Sequence, residues 1–145
     1  MASGVRLWLI VWRAYETLRE HAHRHIRSLG LGLSDFAVLE TLLHKGPTPV
    51  NTIGQRVRLT SGAITAAVDR LESKGLVERK SDSEDRRTRV VHLTSAGRQL
   101  IECAFADHAR AMDIATSGLS DAEREQAVEL LKKMGLRGEE ILRQV

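Results

Sequence analysis

Residues 50–93, VNTIGQRVRLTSGAITAAVDRLESKGLVERKSDSEDRRTRVVHL, decide how the whole chain is read. Val50, Ile53 and Val57 fall on one helical face. Thr48 is placed to cap that helix, and Pro49 suits its first position, where the missing N–H would be unpaired anyway. After a turn at Arg58-Leu59-Thr60, a second helix is expected, capped by Thr60 or Ser61. It carries Ile64, Ala67, Val68 and Leu71 as an apolar stripe at three- and four-residue steps. Its opposite face shows Ser61, Gly62, Thr65, Ala66 and Asp69. Lys74-Gly75 ends the helix, since glycine takes the left-handed conformation common just past a last turn. Strands are then predicted over residues 76–80 and 88–93, joined by the polar run Ser81-Asp82-Ser83-Glu84-Asp85-Arg86-Arg87. Two short helices, a turn and a basic hairpin outline a winged helix-turn-helix.

Charge is concentrated in the same place. Residues 50–93 hold nine Lys or Arg against six Asp or Glu, an excess equal to the net +3 of the chain; the flanks, +2 before and −2 after, cancel. A cationic excess on a fold that presents one helix and one hairpin is the electrostatic footprint of a protein that docks on a polyanion.

The run Leu71-Glu72-Ser73-Lys74-Gly75-Leu76-Val77-Glu78-Arg79, followed by Asp85-Arg86-Arg87 and by Leu93-Thr94-Ser95-Ala96-Gly97, resembles the MarR (multiple antibiotic resistance regulator) family of bacterial transcription factors. Each motif is weak alone; their order and spacing are specific. The resemblance covers nearly the whole chain and implies a mainly α fold with a small β-wing. In that arrangement residues 34–94 form a winged helix-turn-helix lobe, and residues 1–30 and 95–145 a helical dimerisation region. It implies a homodimer that lays one helix of each protomer in a major groove and a wing arginine in the adjacent minor groove.

The putting-together of base contacts follows from the residue types. Residues 59–68 carry no charge, so base reading falls to the Ser61 and Thr65 hydroxyls and to apolar contact of Ala63, Thr65 or Ala66 with thymine methyls, with Thr60 and Gly62 at the same helix start. Arg70 lies further along, placed to meet a phosphate or to pair with Asp69 or Asp85. Arg79 and Arg89 flank the hairpin as further DNA-binding candidates. Arg86 and Arg87 at its tip suit a narrow minor groove, where the potential is more negative, and Asp85 would orient Arg87 by an ion pair within the wing.

Outward from this stretch, 145 residues suit one domain, and the two Phe, two Trp and one Tyr leave a core of Leu, Val, Ile and Ala. The single cysteine, Cys103, forms no intramolecular disulfide, and a small apolar residue is a simpler role for it than redox sensing. The apolar run at residues 7–12 is too short for a signal peptide or a membrane span, so a cytoplasmic protein with no membrane contact is expected.

Residues 5–29 have helical periodicity through Trp8, Val11, Tyr15, Leu18, Ala22, Ile26 and Leu29. Leu9, Ile10 and Trp12 add apolar surface outside that stripe, more than one small domain covers, which points to burial against a second protomer. His21 and His25, one turn apart and with His23 between them, would hold Zn²⁺ only with one or two more ligands from Glu102, Cys103, Asp107 or His108. A polar helix face is the simpler expectation, and neither a metal nor a cofactor is expected. Ser34-Asp35 is expected to cap the next helix, which Lys45-Gly46-Pro47 closes.

Beyond the wing a long helix is predicted from Ser95 to about Ser117. A capping box at Ser120-Asp121-Ala122-Glu123 then starts a last helix, which Gly135 and Gly138 weaken.

The function expected is that of a DNA-binding transcriptional regulator, a repressor acting on an inverted-repeat operator. The family resemblance adds a small aromatic or phenolic effector in the cleft between the helical region and the DNA-binding lobe. Trp12, Arg13, Tyr15 and His25 are its candidate lining, with core packing the alternative for Trp12 and Tyr15. A winged-helix module for protein contact without DNA is the competing function; such modules usually lose the wing arginines and the basic balance. No nucleophile elbow, phosphate loop or metalloprotease helix suggests an enzyme.

Overall fold

The computed structural model describes residues 3–144, in six helices and a three-stranded antiparallel sheet. Helix α1 (Gly4–Ser28) is followed by α2 (Leu33–Lys45), strand β1 (Thr48–Pro49), α3 (Val50–Val57), α4 (Ser61–Ser73), β2 (Val77–Ser81), β3 (Arg89–Leu93), α5 (Ser95–Ala115) and α6 (Asp121–Arg143). No helix among the described residues is long and apolar enough to cross a membrane.

Helix starts follow the local chemistry in four places, the first being Ser3, which caps α1 by accepting from the Arg6 N–H. Thr60 caps α4 by accepting from the Ala63 N–H, Thr94 caps α5 by accepting from the Gly97 N–H, and Ser120 with Glu123 forms the capping box of α6. Gly46 and Gly75, both at positive φ, end α2 and α4.

Elsewhere the structure departs from the expectation. Thr48 does not cap α3: it pairs with Val91 and Pro49 with Val90, so the two form an edge strand of the sheet. An edge tolerates proline because no ladder bond needs its N–H. Ser34 and Asp35 do not cap α2 either; its N-cap is Gly32, with no side-chain cap bond, and both polar side chains serve a contact described below. Helix α6 runs unbroken through Gly135 and Gly138 to Arg143.

The core lies between α2, α4, α5 and the sheet. Val38, Leu39, Ile53, Ala67, Val68, Leu71, Val91 and Ile101 are fully buried, so the winged lobe closes on itself. Two close approaches fix its joints. At Gly54 an added Cβ would sit 3.1 Å from Ile64 Cγ2, which is how tightly α3 packs on α4. At Gly97 it would sit 1.8 Å from the Leu76 carbonyl oxygen. Thr94 reinforces this second joint, donating from its hydroxyl to the Gly75 carbonyl. The Leu93-Thr94-Ser95-Ala96-Gly97 motif thus joins the wing, the end of α4 and α5.

The other end of the molecule is open. The first half of α1 exposes Val5, Leu7, Trp8, Leu9, Ile10, Trp12 and Tyr15, and no residue of α6 is buried although Val128, Leu131, Met134 and Leu142 lie along it.

Candidate nucleic-acid interface

Helix α4 buries Ile64, Ala67, Val68 and Leu71 and exposes Ser61, Gly62, Ala63, Thr65, Ala66, Asp69 and Arg70. The exposed N-terminal half is small and uncharged, a surface that approaches base edges without meeting phosphate repulsion or a bulky clash. Beside it, α3 and the wing complete a groove of about 530 Å³ lined by Ser61, Thr65, Arg79, Arg87 and Arg89 together with Asn51 and Gln55. The last two are absent from the sequence-derived set. Their signal is that they stand one turn apart on α3, off the Val50, Ile53 and Val57 face.

The wing is shaped by carboxylates that bond backbone. Asp82 Oδ1 accepts from the Glu84 N–H at 3.0 Å, and Asp85 Oδ1 accepts from the Arg87 N–H at 2.9 Å. Asp85 Oδ2 takes the Thr88 hydroxyl at 3.1 Å. Asp85 therefore sets the turn, and the expected ion pair with the Arg87 guanidinium does not form. Short side chains that bond the chain two or three residues on are strong turn formers, and this use occupies both oxygens. Among the described residues no carboxylate lies within 4.0 Å of the Arg86 or Arg87 guanidinium. Arg89 donates to the Ser81 hydroxyl at 2.9 Å, across the base of the hairpin.

Arg70 and Arg79 differ from these. Arg70 donates to Asp35 Oδ1 at 2.7 Å and to Ser34 Oγ at 3.1 Å, and Lys74 Nζ stands 3.9 Å from Asp35 Oδ2. The expected partners Asp69 and Asp85 are replaced because α4 packs on α2, which brings the buried Asp35 carboxylate under Arg70. Arg79 donates to Glu72 Oε2 and to Asp69 Oδ1, each at 2.5 Å. Burial alone would lower the pKa of Arg79, but the bonds it donates to Asp69 and Glu72, with their negative charge, outweigh burial and raise it.

The effector candidates do not converge. Trp12 is 50% and Tyr15 59% exposed, so neither packs into the core of this chain, and Arg13 is exposed beside them. His25 lies further along α1, where its Nδ1 stands 3.2 Å from Nδ1 of His108 on α5; the Phe36 edge meets the His108 ring with centroids 5.2 Å apart. His21, one turn before, donates from Nε2 to the Ala111 carbonyl at 3.1 Å. Burial, and then the neighbouring His25 and His21, lower the His108 pKa. Among the described residues no three His, Cys, Asp or Glu side chains are grouped to hold a metal ion. Cys103 is exposed at the mouth of a hollow with Leu29, Leu76 and Leu100, outside the core.

Known proteins share this arrangement. The MarR family profile matches residues 31–88. The HTH-type transcriptional regulator MhqR of Bacillus subtilis is 41% identical over 134 residues, 92% of each chain. The solved structure of the transcriptional regulator BldR from Sulfolobus solfataricus superposes with a TM-score of 0.75 at 31% identity, over 92% of this chain and 94% of that one. That of Bordetella bronchiseptica BpsR, described with a mechanism for regulation of its DNA binding by 6-hydroxynicotinic acid, gives 0.76 at 25% identity, over 93% and 96%.

Proposed function

The chain belongs to the MarR family of DNA-binding transcriptional regulators, and from that premise we propose that it is a repressor which binds an inverted-repeat operator as a homodimer and is released by a small aromatic acid or phenol. The observation that carries this reading is the division of charge around the groove. An uncharged helix start at Ser61, Gly62, Ala63, Thr65 and Ala66 is flanked by a hairpin tip whose two arginines have no carboxylate partner among the described residues. The helix enters the major groove, where the Ser61 and Thr65 hydroxyls and the alanine methyls reach base edges. Arg86 and Arg87 follow into the adjacent minor groove, with Arg89 at its rim and Asn51 and Gln55 against the backbone.

Two such lobes need a common base to span half-sites about 10 base pairs apart. The apolar first half of α1 and the whole of α6 supply a surface for one, and a second copy of the chain covers it. Trp12, Arg13 and Tyr15 lie on that base and His25 further along α1 against α5, and 6-hydroxynicotinic acid at the Bordetella relative is the precedent for an aromatic, acidic effector. A ligand that favours one lobe spacing over another shifts the population by its differential affinity and no more.

Titration of duplex DNA from the protein's own upstream region, at several salt concentrations, tests the reading. Arg87→Ala is expected to weaken binding about tenfold and to reduce the slope of log affinity against log salt by about one. A slope and affinity equal to wild type would remove the wing from the interface.

A further inference from the structure

Arg79 looks, by position and charge, like one more phosphate contact in the groove, yet its surroundings assign it a different task. Its side chain is only 20% exposed, and its fork is divided between two acidic residues of α4, Glu72 and Asp69. Glu72 also accepts the Arg79 backbone N–H at 3.0 Å through its other oxygen. One cation is thus held by two carboxylates, so the cluster carries a net charge of about −1 and offers no attraction to a phosphate. Drawing the guanidinium toward DNA would leave both carboxylates unpaired beside a polyanion. The cluster does have a mechanical consequence. Asp69 and Glu72 lie on the recognition helix and Arg79 in the first strand of the wing, so these three bonds fix the angle at which the wing stands to the helix. On the opposite flank the Asp35 pair with Arg70 ties the same helix to α2. Helix α4 is held from both sides.

We propose that Arg79 is a positioning residue for DNA recognition, which sets the stance of the wing against the recognition helix through Asp69 and Glu72 and makes no contact with the nucleic acid. Discrimination between sequences then depends on the cluster, because only a wing at the right angle reaches the minor groove while the helix is seated in the major groove. The counterion release that drives general affinity does not depend on it. The inference rests on the DNA-binding reading above.

The test uses the full-length protein, a duplex selected by wild type from a random-sequence pool, and a scrambled duplex of the same length. Three variants are compared: Arg79→Gln, Arg79→Lys, and Asp69→Asn combined with Glu72→Gln. The last removes two negative charges from the DNA-facing lobe, so electrostatics alone would tighten binding. We expect instead that it weakens binding to the selected duplex by about tenfold, while the scrambled duplex binds within about twofold of wild type. Arg79→Lys keeps the charge but loses the planar fork, and should fail as Arg79→Gln does. The wild-type salt slope should persist in both. Tighter binding by the carboxylate variant, rescue by lysine, or a slope lower by about one unit would each overturn the proposal. If Arg79→Gln does not fold, the other two variants decide. A wild-type protein that selects no duplex overturns the parent reading and this inference with it; one that does, while the carboxylate variant binds more tightly, overturns this inference alone.

Discussion

Helices α4 and α6 are both amphipathic, and their fates differ. All four apolar stripe residues of α4 are 2% exposed or less, whereas α6, with ten more residues, buries none, and its Leu131 is 48% exposed. The lobe around α4 satisfies its apolar surface with elements of the same chain. The first half of α1 and the length of α6 do not. An amphipathic stripe states that a face must leave water; it does not state what covers it. The contrast divides a self-sufficient lobe from two helices whose apolar faces stay exposed.

Breaking the base should produce the largest effect. Leu9→Arg combined with Leu131→Arg is expected to shift the sedimenting species to the 16.1 kDa monomer and to weaken operator binding by about a hundredfold or more, the usual scale of lost bivalency. A variant that remains dimeric would place the subunit contact elsewhere.

The two regions should also answer the same substitution with opposite signs. In the lobe, Gly97→Ala drives a methyl into the Leu76 carbonyl at 1.8 Å, so backbone must move; a loss of about 3 kcal/mol or more in urea unfolding is expected. In the base, Gly138 has nothing within 4 Å of the built Cβ, and Gly138→Ala should gain up to about 1 kcal/mol of helix stability. Equal signs would mean that α6 is packed as tightly as the lobe.

A smaller effect is expected where the regions meet, at His108. Burial first, and then the neighbouring histidines, lower its pKa in the folded chain, so the unfolded chain binds the proton more readily and stability rises with pH. The contribution is complete above the ordinary imidazole value, about 6.5, and is lost as pH falls through the depressed folded value. The Nδ1 to Nδ1 contact adds a second reason, since one nitrogen must accept and two imidazolium rings cannot. The fall in urea midpoint between pH 7.5 and 5.5 should be larger for wild type than for His108→Gln. Identical falls would show that the α1 to α5 contact is indifferent to this proton.

Most of α4 is legible in the sequence. Thr60, the Ile64 to Leu71 stripe and Gly75 are local signals, because caps and helical periodicity connect residues three or four apart. The wing was legible as a hairpin for the same reason. What failed were assignments of partner. Asp85 was expected to hold the Arg87 side chain and instead holds its backbone N–H; Arg70 was expected on Asp69 or Asp85 and is found on Asp35. Thr48 looked like a cap and is a strand residue, since only the return of β3 along its edge gives it a ladder. Asn51 and Gln55 line the groove without announcing it, because a polar helix face is usually plain surface.

The sequence by itself determined the helices, the caps of α4 and α6, the uncharged start of α4 and the arginine-tipped turn, all set by interactions within one helical turn or one hairpin. Only tertiary structure decided which cations remain available to a polyanion. Charge composition counts Arg79 and Arg87 alike, whereas packing places two carboxylates against the guanidinium of the first and, among the described residues, none within 4.0 Å of that of the second. Coulomb energy depends on that separation, and the separation is fixed by how β2 folds back along α4 after the turn at Gly75.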